Sequence, residues 1–443
     1  MRAVASPDVT APISVVSAKS SLKDTFAALS IRNYRYFTMA HFVAVIALWM
    51  QRIAQDWMVL QLSGSVAAVG ITVALQFAPT LFLGPWGGVL ADRFSKRTLL
   101  IIAQSAAGAL AAVMAVLALS GVLQVWHVYA VAFLLGLVTV VDQPARSVFV
   151  NELVGPRHLR NAISINSSVF QLGGMIGPAI AGVMLTAVGG GWAFVANAVA
   201  CAFTVFMLIV MRTADLVRSA PAPRSKGMLA EGARYLVRKP AILFSTVMAG
   251  FVAVFALSLP VLMAAFADHV FDVGAGGYGL LNTLIAIGAL LGALASTRRS
   301  ELRLRSVISS AGLYGVALVV AALMPSMWSF ATVMVLAGFA SLMFLTGANQ
   351  LVQISTNMQI RGRVMSLYVM VLIGGQALGG LLMGWMAEHL GPHLTLVISG
   401  AVPVLAAVVI GMVLARRGEL MLKVNLRSWR PADVLRIVPR AGA

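Results

Sequence analysis

Arg52 and Asp56 are the deepest charges in this chain, standing four residues apart inside a long apolar run. That spacing puts both on one face of a helix, where they can neutralise each other. An ionisable group within an apolar span is costly and by default marks a cavity or an ion path. Asp56 is therefore the first candidate for a group that takes up and gives back a proton; a purely structural ion pair is the alternative. A second set of charges lies in the stretch Gly87 to Leu100, reading GGVLADRFSKRTLL, where Asp92, Arg93, Lys96 and Arg97 sit between two apolar runs. These charges must occupy a short polar hairpin at a membrane surface. Gly87 and Gly88 leave room for a neighbouring backbone, and Asp92, where a helix ends, can accept N–H groups or pair with a cation. An ordinary surface hairpin is the plainer reading. A third set, Asp142-Gln143-Pro144-Ala145-Arg146, leads into Glu152, Arg157 and Arg160.

The composition says what surrounds these charges. Hydrophobic residues make up 60% of the 443 positions and charged residues 10%, against about a quarter charged in a soluble domain, and the mean hydropathy is +0.93. Such a chain is built for lipid. Its formal charge of +18 would suggest nucleic acid in a soluble protein, but the basic residues are spread over alternate loops and form no patch. No nucleic-acid partner is expected; anionic lipid headgroups are the electrostatic partner. Cys201 is the one cysteine, so no internal disulfide forms, and no cysteine and histidine cluster offers a metal site. No cofactor is expected. None of the lysines follows a glycine, which excludes the phosphate-cradling loop of an ATP-driven pump. No nucleophile, base and metal converge as an enzyme would require. The polar stretch Met1 to Arg35 lacks the apolar core of a cleaved signal peptide.

A membrane span needs about 20 apolar residues. Runs of that length fall near 37–61, 66–90, 99–119, 125–145, 162–186 and 191–211, and again near 241–266, 277–296, 306–324, 327–351, 364–387 and 393–415. The expected fold is an all-α membrane protein of twelve transmembrane helices in two pseudo-symmetric six-helix bundles, 37–211 and 241–415. A polar linker, 212–240, joins them, with a segment 1–36 before and a basic tail 416–443 after. Of the 32 lysines and arginines, all but Arg52 fall in the two terminal segments, the linker and alternate loops on the same side, which places both termini and the linker in the cytoplasm. The halves also repeat. Gly88-Val89-Leu90-Ala91-Asp92 matches Gly292-Ala293-Leu294-Ala295-Ser296, and Ser164, Gly173, Gly177 and Gly182 match Ser366, Gly375, Gly379 and Gly384. The offsets are nearly equal. Paired halves suit a transporter that rocks about a site near the midplane.

The hairpin stretch resembles the signature loop of the major facilitator superfamily, Gly-x-Leu-Ala-Asp-Arg-x-Gly-Arg/Lys-Arg/Lys, through Gly88, Leu90, Ala91, Asp92, Arg93, Lys96 and Arg97, with Ser95 in place of a glycine. The fifth span resembles the same superfamily's antiporter motif, Gly-x8-Gly-x3-Gly-Pro-x2-Gly-Gly, at Gly173, Gly177, Pro178 and Gly182, with Ser164 and Ala181 replacing two glycines. Physically, the glycine row admits a neighbouring helix to backbone contact, and Pro178 removes one hydrogen bond. The phrasing QRIAQDWMVLQLSGS, DQPARSVFVNEL and NAISINSSVFQLGGMIGPAIAG is most similar to the bacterial branch of enterobactin exporters and macrolide-efflux proteins. The resemblance implies proton-driven export of a drug-like or siderophore-like compound through the bacterial cytoplasmic membrane by a monomer, with the proton motive force as its energy source. It also implies that Asp142 pairs with Arg93 or Arg97 to latch the hairpin to the fourth helix. The superfamily's arginine within helix four is missing, since Val125 to Val141 has no basic residue.

A sparse polar and aromatic set inside the spans offers walls for an amphipathic small-molecule substrate: Trp49, Gln55, Trp57, Gln76, Asn166, Gln171, Asn349, Gln353 and Tyr368. Each can equally serve as an interhelical hydrogen bond or headgroup anchor. An uptake symporter or uniporter of the same fold remains the alternative function. A membrane-impermeant thiol reagent added outside the cell is expected to leave a cysteine placed in 212–240 unlabelled, and labelling there would invert the arrangement.

Overall fold

A segment this apolar must satisfy its backbone hydrogen bonds within itself, and only helices do so one span at a time. The computed structural model describes residues 13–14, 27–213, 216, 228–297, 301–357, 360–417, 420–424 and 435–439. In the first half, α1 (Arg32–Ser63) ends on Gly64, whose φ of 64° turns the chain at once into α2 (Val66–Arg93). Only Phe94 and Ser95 separate α2 from α3 (Lys96–Leu119). Ser95, the residue that departs from the signature loop, has a use for its hydroxyl: it caps α3 by accepting the N–H of Thr98. The next two spans form one helical stretch, Val125–Ala187, broken at Gly155 with φ 66° and ψ 176°. Glycine takes that conformation at no steric cost, and Pro156 suits the first position of the second arm. The arms are α4 (125–154) and α5 (156–187), and α6 (Gly191–Val210) completes the half.

In the linker, α7 (Met228–Arg238) leads into the second half: α8 (Pro240–Phe255), α9 (Leu259–Ala265) with a π-helical turn Phe266–Val270, α10 (Gly274–Thr297), α11 (Leu304–Ala322), α12 (Met327–Ile354), α13 (Arg361–Leu390) and α14 (Pro392–Arg417). Outside the spans, β1 (Ile13–Ser14) pairs with β2 (Glu301–Leu302), and β3 (Leu420–Val424) with β4 (Leu435–Pro439), both antiparallel. Eleven helical stretches among the described residues are long and apolar enough to cross a membrane, and Gly155 divides one of them into two arms, giving twelve crossings. The chain is an integral membrane protein.

The helices overrun the hydropathy windows. The first begins at Arg32 instead of 37, and the fourth continues to 154 instead of 145, because a window ends at the first charge whereas a helix ends at its cap. The seventh span is split at 256–258, ahead of Pro260, which has no N–H to continue the ladder. Within the linker, 214–215 and 217–227 lie outside the described residues, as does most of 1–26.

Successive spans alternate in direction, so one end of the molecule carries the linker and the other, far end carries the tight turns at 64–65, 188–190 and 391. The repeat seen in the sequence is a repeat of packing. Gly173 and Gly177 of α5 lie against α1 at Val45 and Trp49, while Gly375 and Gly379 of α13 lie against α8 at Ala253 and Val254. One step further along, Gly182 meets Gly279 of α10, and Gly384 meets Gly70 of α2. Gly136 of α4 faces the Gln76 carbonyl of α2, and Gly338 of α12 the Ile285 carbonyl of α10. Each half is thus a separately packed bundle, and the Gly182–Gly279 and Gly70–Gly384 pairs are where the halves touch backbone to backbone.

That division predicts two different penalties for one kind of change. A Cβ at Gly338 would press on Ile285 within a single half, whereas one at Gly70 would press on Gly380 and Gly384 across the seam. Gly338→Val is expected to lower the melting temperature of the purified protein by the equivalent of about 1–3 kcal/mol. Gly70→Val should leave it within a few degrees but expose the far-end seam to thiol reagents.

Candidate functional site

Asp56 lies at that seam. It is 5% exposed, its Oδ2 accepts the hydroxyl of Tyr278 from α10 at 3.4 Å, and its Oδ1 has no hydrogen-bond partner. Tyr278 is fully buried and stacks on Trp57, with ring centroids 5.7 Å apart. The expected salt bridge between Asp56 and Arg52 is not formed. The Arg52 guanidinium turns to aromatic faces, 5.4 Å from the centroid of Trp49 and 5.8 Å from that of Phe77. A guanidinium can be held over ring quadrupoles when it lies close to aromatic faces. The hydrogen-bond partner of the carboxylate thus comes from the opposite half, while Arg52 acts on it from its own helix through charge and not through a hydrogen bond. Gln55 is fully buried with both amide atoms unpartnered. Gln51, on the same face, accepts from Asn197 of α6 inside the first half.

The helix-five row has a defined target. Gly173 and Gly177 admit α1 so closely that a Cβ on Gly177 would lie 2.5 Å from that of Trp49 and 2.8 Å from the Ile46 carbonyl oxygen. Pro178 is buried beside them, and Ser164 is exposed. The row seats Trp49, the residue under Arg52, and Gly182 then carries the same helix onto α10 one residue from Tyr278. A carboxylate, an arginine, two tryptophans and a tyrosine are thereby brought to one place from α1 and α10.

At the linker end the charges pair differently from expectation. Asp142 does not reach Arg93 or Arg97. Because α4 continues through it, Arg146 stands one turn on and binds both carboxylate oxygens, at 2.9 and 3.0 Å. Gln104 of α3 donates to Oδ1 at 2.9 Å, and Arg146 also meets His41 Nδ1 of α1 at 3.0 Å. Arg97 instead donates to the carbonyls of Leu208 and Ile209, at the C-terminal end of α6 where carbonyls lack helical partners. Hairpin and helix four are tied by Lys96 and Glu152, 3.3 Å apart and largely buried. Asp92 is half-buried in the last turn of α2 and Arg93 is exposed. Of the two hairpin glycines, Gly87 meets the Val140 carbonyl of α4, while Gly88 faces open space.

The remaining cavity candidates scatter. Trp57 and Tyr368 are buried, and the Tyr368 hydroxyl is unpartnered. Gln353 bonds Asn349 on its own helix, and Asn349 lines a recess of about 260 Å³ with Leu345, Thr346 and Gln350. Gln76, Asn166 and Gln171 are half-buried. The larger cleft, about 470 Å³, touches none of them: it runs between α2, α8 and α13 and is lined by apolar residues, among them Leu81, Phe251, Phe255 and Met370. Tyr278 and His41 are the site residues that sequence reasoning passes over, and Arg146 is named there without its partner. A tyrosine within an apolar run looks like core. Arg146 looks like a loop charge until α4 is seen to extend past it.

Two pseudo-symmetric six-helix halves, close-packed at a glycine seam with a buried carboxylate on it, are the architecture of a secondary transporter. The comparisons agree: the family profile of the transmembrane secretion effectors matches residues 23–440. The chain belongs to that family of the major facilitator superfamily, a family of transporters and not of enzymes. It is 27% identical over 411 residues to the enterobactin exporter EntS of Escherichia coli O139:H28, covering 90% of this chain and 93% of that one, and equally to EntS of Escherichia fergusonii. Among solved structures, a peptide transporter of the POT type in complex with sulfate matches with a TM-score of 0.71 at 14% identity, covering 90% of this chain and 99% of that one. A bacterial homolog of the human lysosomal transporter Spinster, in an inward-facing and unoccupied conformation, matches at 0.69 and 16% identity, covering 90% and 98%.

The linker-end pairing can be checked by stability. Arg146→Gln strands a buried carboxylate and is expected to cost about 3–5 kcal/mol, read as a fall in melting temperature, whereas Arg93→Gln should change it little. The reverse order would restore the Asp142–Arg93 pairing.

Proposed function

We propose that this protein exports an organic compound of siderophore-like or drug-like character from the cytoplasm, driven by the inward flow of protons, by alternating access. The observation that carries this reading is Asp56, a carboxylate buried at the seam between the halves, hydrogen-bonded to the half that must move and with one oxygen unpartnered. An ionisable group so placed can exchange a proton and change how the halves hold each other in the same event. Likeness to the enterobactin exporters supports the outward direction and the substrate class. The charge distribution supports an inner-membrane protein with its linker end in the cytoplasm: no lysine or arginine lies in the far-end turns, and Asp268, Asp272 and, at the end of α13, Glu388 lie at that end.

In this cycle the substrate enters while the far end is shut and leaves after it opens. The proton enters from the far side and is carried to Asp56, which releases it at the linker end. The cations of that end, Arg35, Arg93, Arg157, Arg160 and Arg234, are exposed where anionic headgroups would lie. Uptake symport or uniport on the same fold remains the competing reading.

Inverted membrane vesicles with an imposed pH gradient, offered siderophores, macrolides and lipophilic cations, test the proposal. Gradient-dependent accumulation of at least one compound is expected, with Asp56→Asn abolishing it by tenfold or more while the protein still inserts. Full activity of Asp56→Asn would move the proton elsewhere, and flux that never responds to the gradient would end the antiport reading.

A further inference from the structure

Coupled exchange places a demand on the empty carrier: if it could switch freely between its two states with neither substrate nor proton bound, the gradient would run down without work. Something must hold the empty, proton-free protein in one state. The far end of this molecule contains a device of the right kind. Tyr278 is bolted into the first half from the second: its ring lies on Trp57, its hydroxyl points to Asp56 Oδ2, and the next residue, Gly279, is in backbone contact with Gly182 of α5. A Cβ on Gly279 would lie 2.6 Å from the Gly182 Cα, so the two helices are as close as backbones allow. Asn282, one turn on, donates to the Tyr278 carbonyl at 2.9 Å and steadies that turn of α10.

We infer that Tyr278 is the residue through which the charge of Asp56 locks the far end: an ionised Asp56 holds the Tyr278 hydroxyl and keeps the halves together, and a proton on Asp56 releases it. The ionisable groups that reach Asp56 are Arg52 on its own helix and Tyr278 on α10. Arg52, seated between Trp49 and Phe77, belongs to the same half and so cannot report on the seam. Of these two, Tyr278 is the one that crosses it, beside the polar contacts Gln61–Asp268 and Glu388–Ser65 nearer the far surface. A hydrogen bond to a carboxylate is roughly twice as strong as one to a neutral acceptor, so the same contact grips in one protonation state and slackens in the other. The buried stacking on Trp57 is indifferent to charge and serves to aim the hydroxyl. Tyr278 is thus a positioning residue, and the substrate, to be exported, must loosen the same bond from the linker side. The inference rests on Asp56 as the proton carrier.

The test reads the seam directly and needs neither substrate nor gradient, so that it stands apart from the export reading. Val73 of α2 is 8% exposed and packs against Gly380 across the far-end seam. With the single native cysteine removed (Cys201→Ser), Val73→Cys is a reporter for an impermeant maleimide applied from the far side of proteoliposomes. In the parent, labelling should be slow above neutrality and faster on the acid side. Tyr278→Phe, which keeps the ring and deletes the hydroxyl, should raise the alkaline rate roughly tenfold, the size of one hydrogen bond to a charged group, and flatten the pH profile. Asp56→Asn should do the same, and carries the test alone should Tyr278→Phe fail to insert. A Tyr278→Phe profile that matches the parent, or a parent profile without any pH step, would overturn the lock. Gradient-driven transport that survives in Tyr278→Phe would also do so, while leaving proton-coupled export itself intact.

Discussion

A carboxylate removed from water into a lipid-embedded bundle must be answered by the protein around it, and here the answer to Asp56 comes from the other half. The Tyr278 hydroxyl can reach it only because α5 and α10 approach at Gly182 and Gly279 without side chains between them. A seam held by wide, interlocked side chains would be stronger but could not part and reclose cheaply. Glycine contacts give up little when separated, since most of their attraction is dispersion between a few backbone atoms. The Tyr278–Asp56 bond therefore joins the halves at a place where the packing itself contributes few side-chain contacts.

The first half is tied together internally by buried and half-buried polar bonds near the linker end. Asp142, Arg146, Gln104 and His41 tie α4, α3 and α1 together near the linker end. Arg97 ties α3 to the end of α6, and Lys96 ties it to α4 through Glu152. The Asp142–Arg146 pair is the strongest of these, since both charges are largely shielded from water and each is met by a further partner, Gln104 and His41. In the second half, Glu231 of α7 pairs with Arg363 and the Tyr235 hydroxyl accepts from the Asn357 N–H, which holds the linker helix to the start of α13. At the far end, Gln61 bonds Asp268 at 3.3 Å and Glu388 accepts from Ser65 and Ala67 at 3.0 and 3.2 Å, each joining the two halves.

The number of spans, their division into halves and the polar side of the molecule are legible in the sequence because hydropathy and charge are summed over many residues and survive local error. The repeat at Gly173, Gly177 and Gly182 is legible for a further reason: close helix approach in a membrane depends on small residues at fixed intervals. Pairing is not legible in the same way. Asp142 chooses Arg146 over Arg93 because α4 extends nine residues beyond its apolar window, a length set by where Gly155 can break it. Arg52 forgoes Asp56 for two aromatic rings that come from α1 and α2 together. Tyr278 has no signal of its own, since its significance lies wholly in facing Asp56 from 222 positions away. Side-chain partners are decided by tertiary contact, and a single chain records the residues without recording who meets whom.

The joint at Gly155 has a consequence for how this half of the molecule can change over time. With no slack between α4 and α5, one added or deleted residue would rotate everything beyond it by about 100°. The face bearing Gly173 and Gly177 would then swing away from α1 and present bulkier neighbours in its place. Length variation is thus barred at this buried corner, and the two arms are inherited as a single phased unit.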